Sequence, residues 1–214
     1  MPEQVRHDDV RRIATLATGG ALLLAATLIG LAVASGWTMG MDRAGLLAMA
    51  GGPTGFWLLW TRLGDTFVRV AVSLIALGAL LARRRWLAGA GLFVTVGGAF
   101  GLNALAKALV ARPRPDPLPH LDAVNGPGFP SGHAAGAAAL AFGLAFYLVP
   151  PRWRGRAVAG GLVFMLLVGL SRVALGVHWP SDVVAGWCEG AGWALVIGAT
   201  VAAIARSRGG RREG

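Results

Sequence analysis

Charged side chains are scarce in this sequence, and their scarcity excludes most soluble protein classes. Only 14% of the 214 residues are Asp, Glu, Lys or Arg, whereas a soluble domain carries about 25%. Apolar residues make up 55% of the chain, and the mean hydropathy is +0.61. The composition therefore indicates an integral membrane protein, and the length predicts a single domain over residues 1–214.

Cysteine, lysine and acidic residues are also rare. The single cysteine, Cys188, excludes an intrachain disulfide. Because the carboxylates are scattered and only one thiol is present, no cluster has the spacing of a metal site, and we expect neither a metal nor another cofactor. The single lysine, Lys107, stands in LAKALVARPRPDPLPH, where an apolar segment meets alternating prolines.

Six apolar segments approach the roughly 20 residues that a membrane-spanning helix needs. They are predicted at about 13–34, 66–82, 86–106, 133–150, 157–177 and 182–205. A further apolar stretch at about 41–60 is interrupted by Gly51, Gly52 and Pro53. We expect an outer-face hairpin or an interfacial helix there, with a dip into the bilayer as the alternative. The predicted fold class is all-α, a polytopic bundle of six transmembrane helices.

Arginines mark every second boundary between these segments. Thirteen of the 20 cations lie before span 1, between spans 2 and 3, between spans 4 and 5, and after span 6. Because cytoplasmic loops carry excess Lys and Arg, we predict that both termini are cytoplasmic and that the protein lies in the inner (plasma) membrane. This set explains most of the +10 net charge and predicts contact with anionic lipid headgroups, not with nucleic acid. A short disordered basic tail is expected at about 206–214.

The N-terminus leaves two interpretations open. A basic start, an apolar run and the sequence AVAS (Ala32 to Ser35) resemble a cleaved signal peptide. The apolar run is longer than the usual pattern of such peptides, so we favour an uncleaved membrane anchor.

Several remaining polar residues converge on the outer face. Lys107 and Arg172 end apolar segments, where a charge is costly and usually functional, although Lys107 alone would also fit a side chain that snorkels to the interface. The segment GFPSGHAAG starts span 4 with Ser131 as the expected N-cap, and a helix N-terminus suits an anion such as phosphate. Near the start of span 6, Asp182 follows His178 by four residues, and such a carboxylate can fix the tautomer of the ring. Each feature has an ordinary structural explanation alone, but together they predict a phosphate site.

Three motifs in this order resemble the signature of the type 2 phosphatidate phosphatase superfamily, the membrane lipid phosphate phosphatases. The motifs are KALVARPRP, PSGH and SRVALGVHWPSD, and they cover residues 107–182. A lone PSGH would be a weak signal, whereas three spaced motifs in register are specific. The first motif requires six residues between Lys107 and the Arg-Pro pair, which selects Arg114 and leaves Arg112 as a headgroup-facing or structural residue.

The resemblance implies a metal-independent hydrolase of a lipid phosphate or pyrophosphate at the extracytoplasmic membrane face. It implies that His178 is a nucleophile that forms a phosphohistidine, that Asp182 orients it, and that His133 is the general acid and then the base. It also implies a set of residues that bind the phosphoryl group: Lys107, Arg114, Ser131, Gly132 and Arg172.

Several alternatives stay open. The candidate substrates are phosphatidylglycerol phosphate, phosphatidic acid, undecaprenyl pyrophosphate and lipid A phosphates, and the sequence does not distinguish among them. The oligomeric state also stays open. Vanadium haloperoxidases share the motifs but are soluble and larger. A non-catalytic lipid-binding or transport protein on the same scaffold is disfavoured because the histidines and the aspartate are intact. His120, Asp116 and Asp122 follow Arg114, and we interpret them as solvated loop residues rather than headgroup determinants.

Overall fold

The computed structural model describes the backbone of residues 2–50 and 52–210 and the side chains of residues 9–50 and 52–208. Within these ranges the chain folds into helices joined by turns and one long loop, without strands. The helices are α1 (Pro2–Ala34), α2 (Met39–Met49), α3 (Thr54–Leu63), α4 (Thr66–Ala82), α5 (Trp86–Val110), α6 (Gly132–Tyr147), α7 (Pro151–Ala174) and α8 (Pro180–Gly210).

The predicted all-α membrane bundle is confirmed. Five helical stretches have the length and hydropathy of membrane spans, namely Asp9–Ala34, Thr54–Ala82, Trp86–Val110, Pro151–Ala174 and Pro180–Arg208. Helix α6 is shorter but equally apolar. Each of the six predicted segments therefore coincides with a helix. The cytoplasmic position of the termini and the retention of the N-terminal segment stay predictions.

Two segments outside the six predicted spans are also helical. Helix α8 continues through Gly210, so residues 206–210 are helical and not part of a disordered tail; residues 211–214 lie outside the described part. The predicted interfacial segment is two helices, α2 and α3, on either side of Pro53. Helix α3 packs against α7, and together with α4 it forms one stretch of high hydropathy over Thr54–Ala82, although Gly64 and Asp65 separate the two helices.

Most residues of helix α6 are buried, and glycines on α8 allow the two helices to pack closely. A Cβ on Gly186 would lie 2.6 Å from the carbonyl oxygen of Ser131, and one on Gly190 would overlap the carbonyl of Ala135. Small residues spaced four apart permit such close approach of two helices in a membrane. The crossing places the first turn of α6 beside the first turn of α8.

The topology gathers the three motifs at one end of the bundle. Helices α5 and α7 end there, and α6 and α8 begin there. The opposite end carries a cavity of about 790 Å³. Its lining includes most of the arginines that predicted a cytoplasmic face: Arg11, Arg12, Arg84, Arg85, Arg154, Arg206 and Arg208. The side chains of Arg6, Arg211 and Arg212 lie outside the described residues.

Candidate active site

His178 lies in the turn between α7 and α8, just before Pro180 begins α8. Its Nδ1 is 3.4 Å from Oδ2 of Asp182, and its Nε2 is 3.1 Å from a guanidinium nitrogen of Arg114. An arginine can only donate hydrogen bonds, so Nε2 must accept and the ring proton must sit on Nδ1, facing the carboxylate. This is the tautomer that a nucleophile acting through Nε2 requires.

The surroundings of His178 keep its ring neutral. The side chain is 3% exposed and the Asp182 side chain is 0% exposed. Burial lowers the pKa of His178 to about 4, and the hydrogen bond to Asp182 only partly opposes this. Oδ2 of Asp182 also accepts from the backbone N–H of Trp179 at 3.0 Å, which fixes the carboxylate relative to the imidazole.

Arg114 is held in the proline-rich loop by backbone carbonyls. Its guanidinium donates to Asn125, Gly126 and Val177 at 3.1, 3.0 and 2.8 Å. Burial and the nearby charge of Arg172 lower the pKa of Arg114 below its ordinary value. The extended loop therefore returns Arg114 to the histidine, as the prolines on either side of it predict.

The two cations at helix ends also reach the site. Lys107 lies in the last turn of α5, and its Nζ donates to the carbonyl of Pro127 at 2.7 Å. Arg172 lies in the last turn of α7 and its side chain is 1% exposed. It donates to the hydroxyl of Thr61 and to Oδ2 of Asp122, the latter at 2.5 Å.

The start of α6 supplies His133. Ser131 is the N-cap, as predicted, and its Oγ accepts from the backbone N–H of Ala134 at 3.5 Å. The backbone N–H of Ser131 donates to the carbonyl of Asp182 at 2.9 Å, which ties the PSGH turn to α8. Ser131 is 0% exposed, so its hydroxyl completes the helix start and is not part of the cavity surface.

One cavity of about 650 Å³ brings most of these side chains together. Six of the eight residues predicted for the site line it: Lys107, Arg114, Gly132, His133, Arg172 and His178. Asp182 lies behind His178, and Ser131 lies beneath the first turn of α6. A ring of cations around two histidines suits a phosphoryl group, whose transfer places charge on oxygens that guanidinium groups and ammonium groups stabilise.

Comparison with known proteins agrees with this geometry. The sequence profile of the PAP2 superfamily matches residues 86–206. The chain belongs to this superfamily. It is a PAP2 phosphatase, that is, a phosphoric ester hydrolase, and it is a multi-pass membrane protein.

Individual PAP2 relatives span most of the chain. A decaprenylphosphoryl-5-phosphoribose phosphatase of Mycobacterium tuberculosis is 37% identical over 185 residues, which cover 81% of this chain and 86% of that protein. A phosphatidylglycerophosphatase B of Bacillus subtilis is 34% identical over 140 residues, or 61% of this chain and 66% of that protein. The crystal structure of a transmembrane PAP2-type phosphatidylglycerolphosphate phosphatase from Bacillus subtilis superposes with a TM-score of 0.75 at 25% identity, over 89% of this chain and 96% of the other.

Arg112 is the main residue that the motif spacing set aside. It is 6% exposed and donates to Oδ1 of Asp182 and to Oδ2 of Asp42, each at 2.7 Å. Its guanidinium carbon also lies 5.4 Å from the ring centroid of Trp179. The headgroup-facing interpretation of Arg112 is therefore wrong, and the structural one holds, because a buried side chain between two carboxylates cannot meet lipid headgroups.

Asp42, on α2, completes this arrangement. Its carboxylate accepts from the backbone N–H and from the hydroxyl of Ser181, at 2.8 and 2.7 Å. Burial would raise the pKa of Asp42, but hydrogen bonds from Arg112 and Ser181 outweigh burial and hold the pKa below its ordinary value. The first turn of α8 is thus fixed from the N-terminal third of the chain, a link that no local motif in the sequence indicates.

The loop acids and histidine also differ from the prediction in part. Asp122 is not a solvated loop residue, because it forms the ion pair with Arg172. Nε2 of His120 is 2.7 Å from the carbonyl oxygen of Pro115, although the residue is exposed. Asp116 is exposed, as expected. Sequence reasoning also missed Arg69 and Asn103, which line the cavity from α4 and α5.

Proposed function

We propose that this PAP2 phosphatase removes the terminal phosphoryl group from a membrane lipid phosphate or pyrophosphate, without a metal, through a phosphohistidine on His178. The observation that carries the proposal is the shape of the cavity. Its polar end holds the histidines and cations, and its other walls are apolar residues of α4 and α5, among them Val70, Val96 and Phe100. Val70 and Phe100 are 48% and 69% exposed on the outside of the bundle, so the cavity joins the phosphate site to the lipid-facing surface.

In the first step, Nε2 of His178 attacks phosphorus while the bond to the leaving oxygen breaks. The phosphoryl group takes the place on Nε2 that Arg114 occupies, and Arg114 donates instead to phosphoryl oxygens. The ring proton stays on Nδ1 and is donated to the carboxylate of Asp182, which stabilises the positive charge that forms on the ring. His133 donates its proton to the leaving oxygen, so that the lipid departs as an alcohol or as a monophosphate.

In the second step, water hydrolyses the phosphohistidine. His133, now neutral, accepts a proton from water as its oxygen bonds to phosphorus, and the bond from phosphorus to Nε2 breaks. Inorganic phosphate leaves and His178 returns to the neutral tautomer. Lys107, Arg114 and Arg172 supply charge to the phosphoryl oxygens in both steps, each from a different helix end or loop.

The proposal also covers the lipid substrate and the side of the membrane on which the phosphate site lies. We infer a phospholipid or polyprenyl substrate, such as phosphatidylglycerol phosphate, phosphatidic acid or undecaprenyl pyrophosphate. The arginine-rich end of the bundle supports placing the other end, with its phosphate site, outside the cytoplasm in the inner membrane. It also supports anionic headgroups as partners of the arginine-rich end. Reporters fused after Gly214 and between Lys107 and Pro130 test the orientation, because the first should read cytoplasmic and the second external.

The activity is tested by phosphate release from a panel of lipid phosphates in detergent with EDTA. Wild type should release phosphate, and His178→Ala should release none. His120→Ala is the matched control, since it removes an exposed histidine outside the cavity and should keep the activity. Label from a ³²P-substrate should appear on wild type as an acid-labile, alkali-stable adduct. Turnover by His178→Ala, or loss of turnover with EDTA alone, would refute the mechanism.

A further inference from the structure

Arg69 lies in the wall of the active-site cavity although it belongs to none of the three motifs. It stands in the first turn of α4, in an otherwise apolar segment. It lines the same cavity as His133, Arg172 and His178. A charge in such a segment is expensive, and a position facing a cavity marks a functional role.

The fold makes room for this guanidinium. A Cβ on Gly136 would overlap the guanidinium of Arg69, so only glycine at position 136 allows the side chain to lie against α6. One guanidinium nitrogen donates to the hydroxyl of Thr66 at 2.9 Å. A hydrogen bond on α4 therefore orients the Arg69 side chain, and the lack of a side chain at Gly136 leaves space for it on α6.

Within the described residues no acid forms an ion pair with Arg69; the carboxylate of Asp65 is near, but it caps the start of α4 instead. The Nε of Arg69 is buried and has no hydrogen-bond partner among residues 9–50 and 52–208. None of the ion pairs formed within those ranges includes Arg69. A buried cation with unused donors is stabilised by an anion, and the cavity is the place from which an anion can arrive.

The position of Arg69 separates it from the reacting phosphoryl group. Gly136 follows His133 by three residues on α6, so the guanidinium lies about one helical turn deeper in the bundle than the proposed general acid. His178, the proposed nucleophile, is on the turn between α7 and α8. Arg69 therefore lies beyond His133 from the nucleophile, on the leaving-group side of the site.

We propose that Arg69 binds a second anionic phosphate of the lipid, on the leaving-group side of the bond that breaks. This inference rests on the proposed function. Two sources carry the same chemistry: a phosphodiester that links the headgroup to the lipid, as in phosphatidylglycerol phosphate, and the second phosphate of a polyprenyl pyrophosphate. Phosphatidic acid has neither, so the site favours lipids with two phosphates over it.

The test compares substrates within each variant. The ratio of kcat/KM for phosphatidylglycerol phosphate to that for phosphatidic acid, with matched acyl chains, should fall about 10- to 100-fold in Arg69→Ala, the size of a lost charge-assisted hydrogen bond. Gly136→Ala should lower the ratio similarly, because it displaces the guanidinium without removing its charge. Arg62→Ala, an exposed arginine on α3, is the control. The proposal is overturned if Arg69→Ala leaves unchanged both this ratio and the corresponding ratio for a polyprenyl pyrophosphate.

A polyprenyl pyrophosphate arm distinguishes the two sources. If Arg69→Ala lowers kcat/KM relative to phosphatidic acid only for the pyrophosphate, the second phosphate is the one directly attached to the first. If it lowers this ratio only for phosphatidylglycerol phosphate, the second phosphate is the phosphodiester.

A binding measurement separates failure of this inference from failure of the proposed function. Phosphatidylglycerol retains the phosphodiester but has no phosphate to hydrolyse. Its affinity for the detergent-solubilised protein should fall about 10-fold or more in Arg69→Ala and stay the same in Arg62→Ala. Equal affinity in wild type and Arg69→Ala refutes a phosphodiester site. If wild type releases phosphate from none of the lipids, the proposed function is refuted. The binding measurement then still decides whether Arg69 binds a phosphodiester.

Discussion

Replacing Arg112 with alanine should lower kcat about 100-fold and destabilise the enzyme, although motif spacing leaves Arg112 outside the site. Arg112 lies between two buried carboxylates, with a nitrogen 2.7 Å from Asp182 and another 2.7 Å from Asp42. The side chains of these acids are 0% and 3% exposed. Arg112→Ala therefore leaves two negative charges without their cation in a water-poor region.

The size of the effect follows from this burial. Breaking a buried ion pair by removing one partner costs about 3–5 kcal/mol. For a chain of this length, each kcal/mol shifts the thermal midpoint by roughly 2–4 °C, so we expect a fall of about 10 °C. Asp182 keeps the backbone N–H of Trp179 on Oδ2 but loses its partner on Oδ1. A displacement of about 1 Å at the His178–Asp182 pair then lowers kcat about 100-fold.

Kinetics separate the two arginines. Arg112→Ala should lower kcat and the thermal midpoint with little change in KM, because Arg112 positions Asp182 and does not line the cavity. Arg114→Ala should raise KM and lower kcat by about 10²–10³-fold, as for the loss of a transition-state donor. Arg112→Lys should restore only part of the stability, since one ammonium cannot replace a fork that reaches both carboxylates.

The measurements are phosphate release at several substrate concentrations and thermal unfolding in the same detergent, with Arg62→Ala as control. Asp42→Asn tests the arrangement from its far end and should lower the thermal midpoint more than kcat. If Arg112→Ala kept its kcat within about twofold and its midpoint within about 2 °C, the two ion pairs would contribute nothing and the reasoning would be wrong.

Three further predictions concern other parts of the molecule. Because burial lowers the pKa of His178 to about 4, the neutral nucleophile persists as pH falls and is lost only near pH 4; an NMR titration of the His178 ring with a midpoint at about 6.5 would contradict this. Asp122→Asn removes the ion pair of Arg172, so inorganic phosphate should inhibit several-fold more strongly, and Asp116→Asn is the exposed control. Gly190→Ala sets a methyl group against the backbone of Ala135 and should cost about 1–3 kcal/mol of stability. Gly20→Ala, within α1 and facing open space, should leave the stability unchanged or raise it slightly when the unfolding of both variants is compared.

The predicted parts of the site are those where sequence position determines spatial position. A residue in the last turn of a spanning helix or just before the next one must lie at that end of the bundle. Lys107, Arg172 and His178 were therefore placed by hydropathy alone, and proline spacing was enough to keep Arg114 in an extended loop. The positions of helix ends follow from the length of apolar runs, which is why the six segments were found.

The missed residues depend on features that hydropathy does not carry. Asp42 and Arg112 are 70 residues apart, and nothing local in either segment indicates the other. Arg69 sits within an apolar segment, where its direction depends on the rotation of α4 about its own axis. The one available signal was indirect, since a charge inside a membrane segment requires a partner.

Charge balance connects these separate observations. Lys107, Arg114 and Arg172 meet at a cavity beside which three acids are already engaged: Asp122 with Arg172, Asp182 with Arg112 and His178, and Glu189 with Asn103. Arg69 adds a fourth cation. Such a set repels itself in a low-dielectric site and is offset when a phosphate dianion enters. The enzyme therefore holds its cations in place by backbone carbonyls, a hydroxyl and one loop carboxylate, which preserves their charge for the substrate. Asp42 and Arg112 serve the complementary need, because they fix Asp182 without bringing another negative charge to the cavity surface.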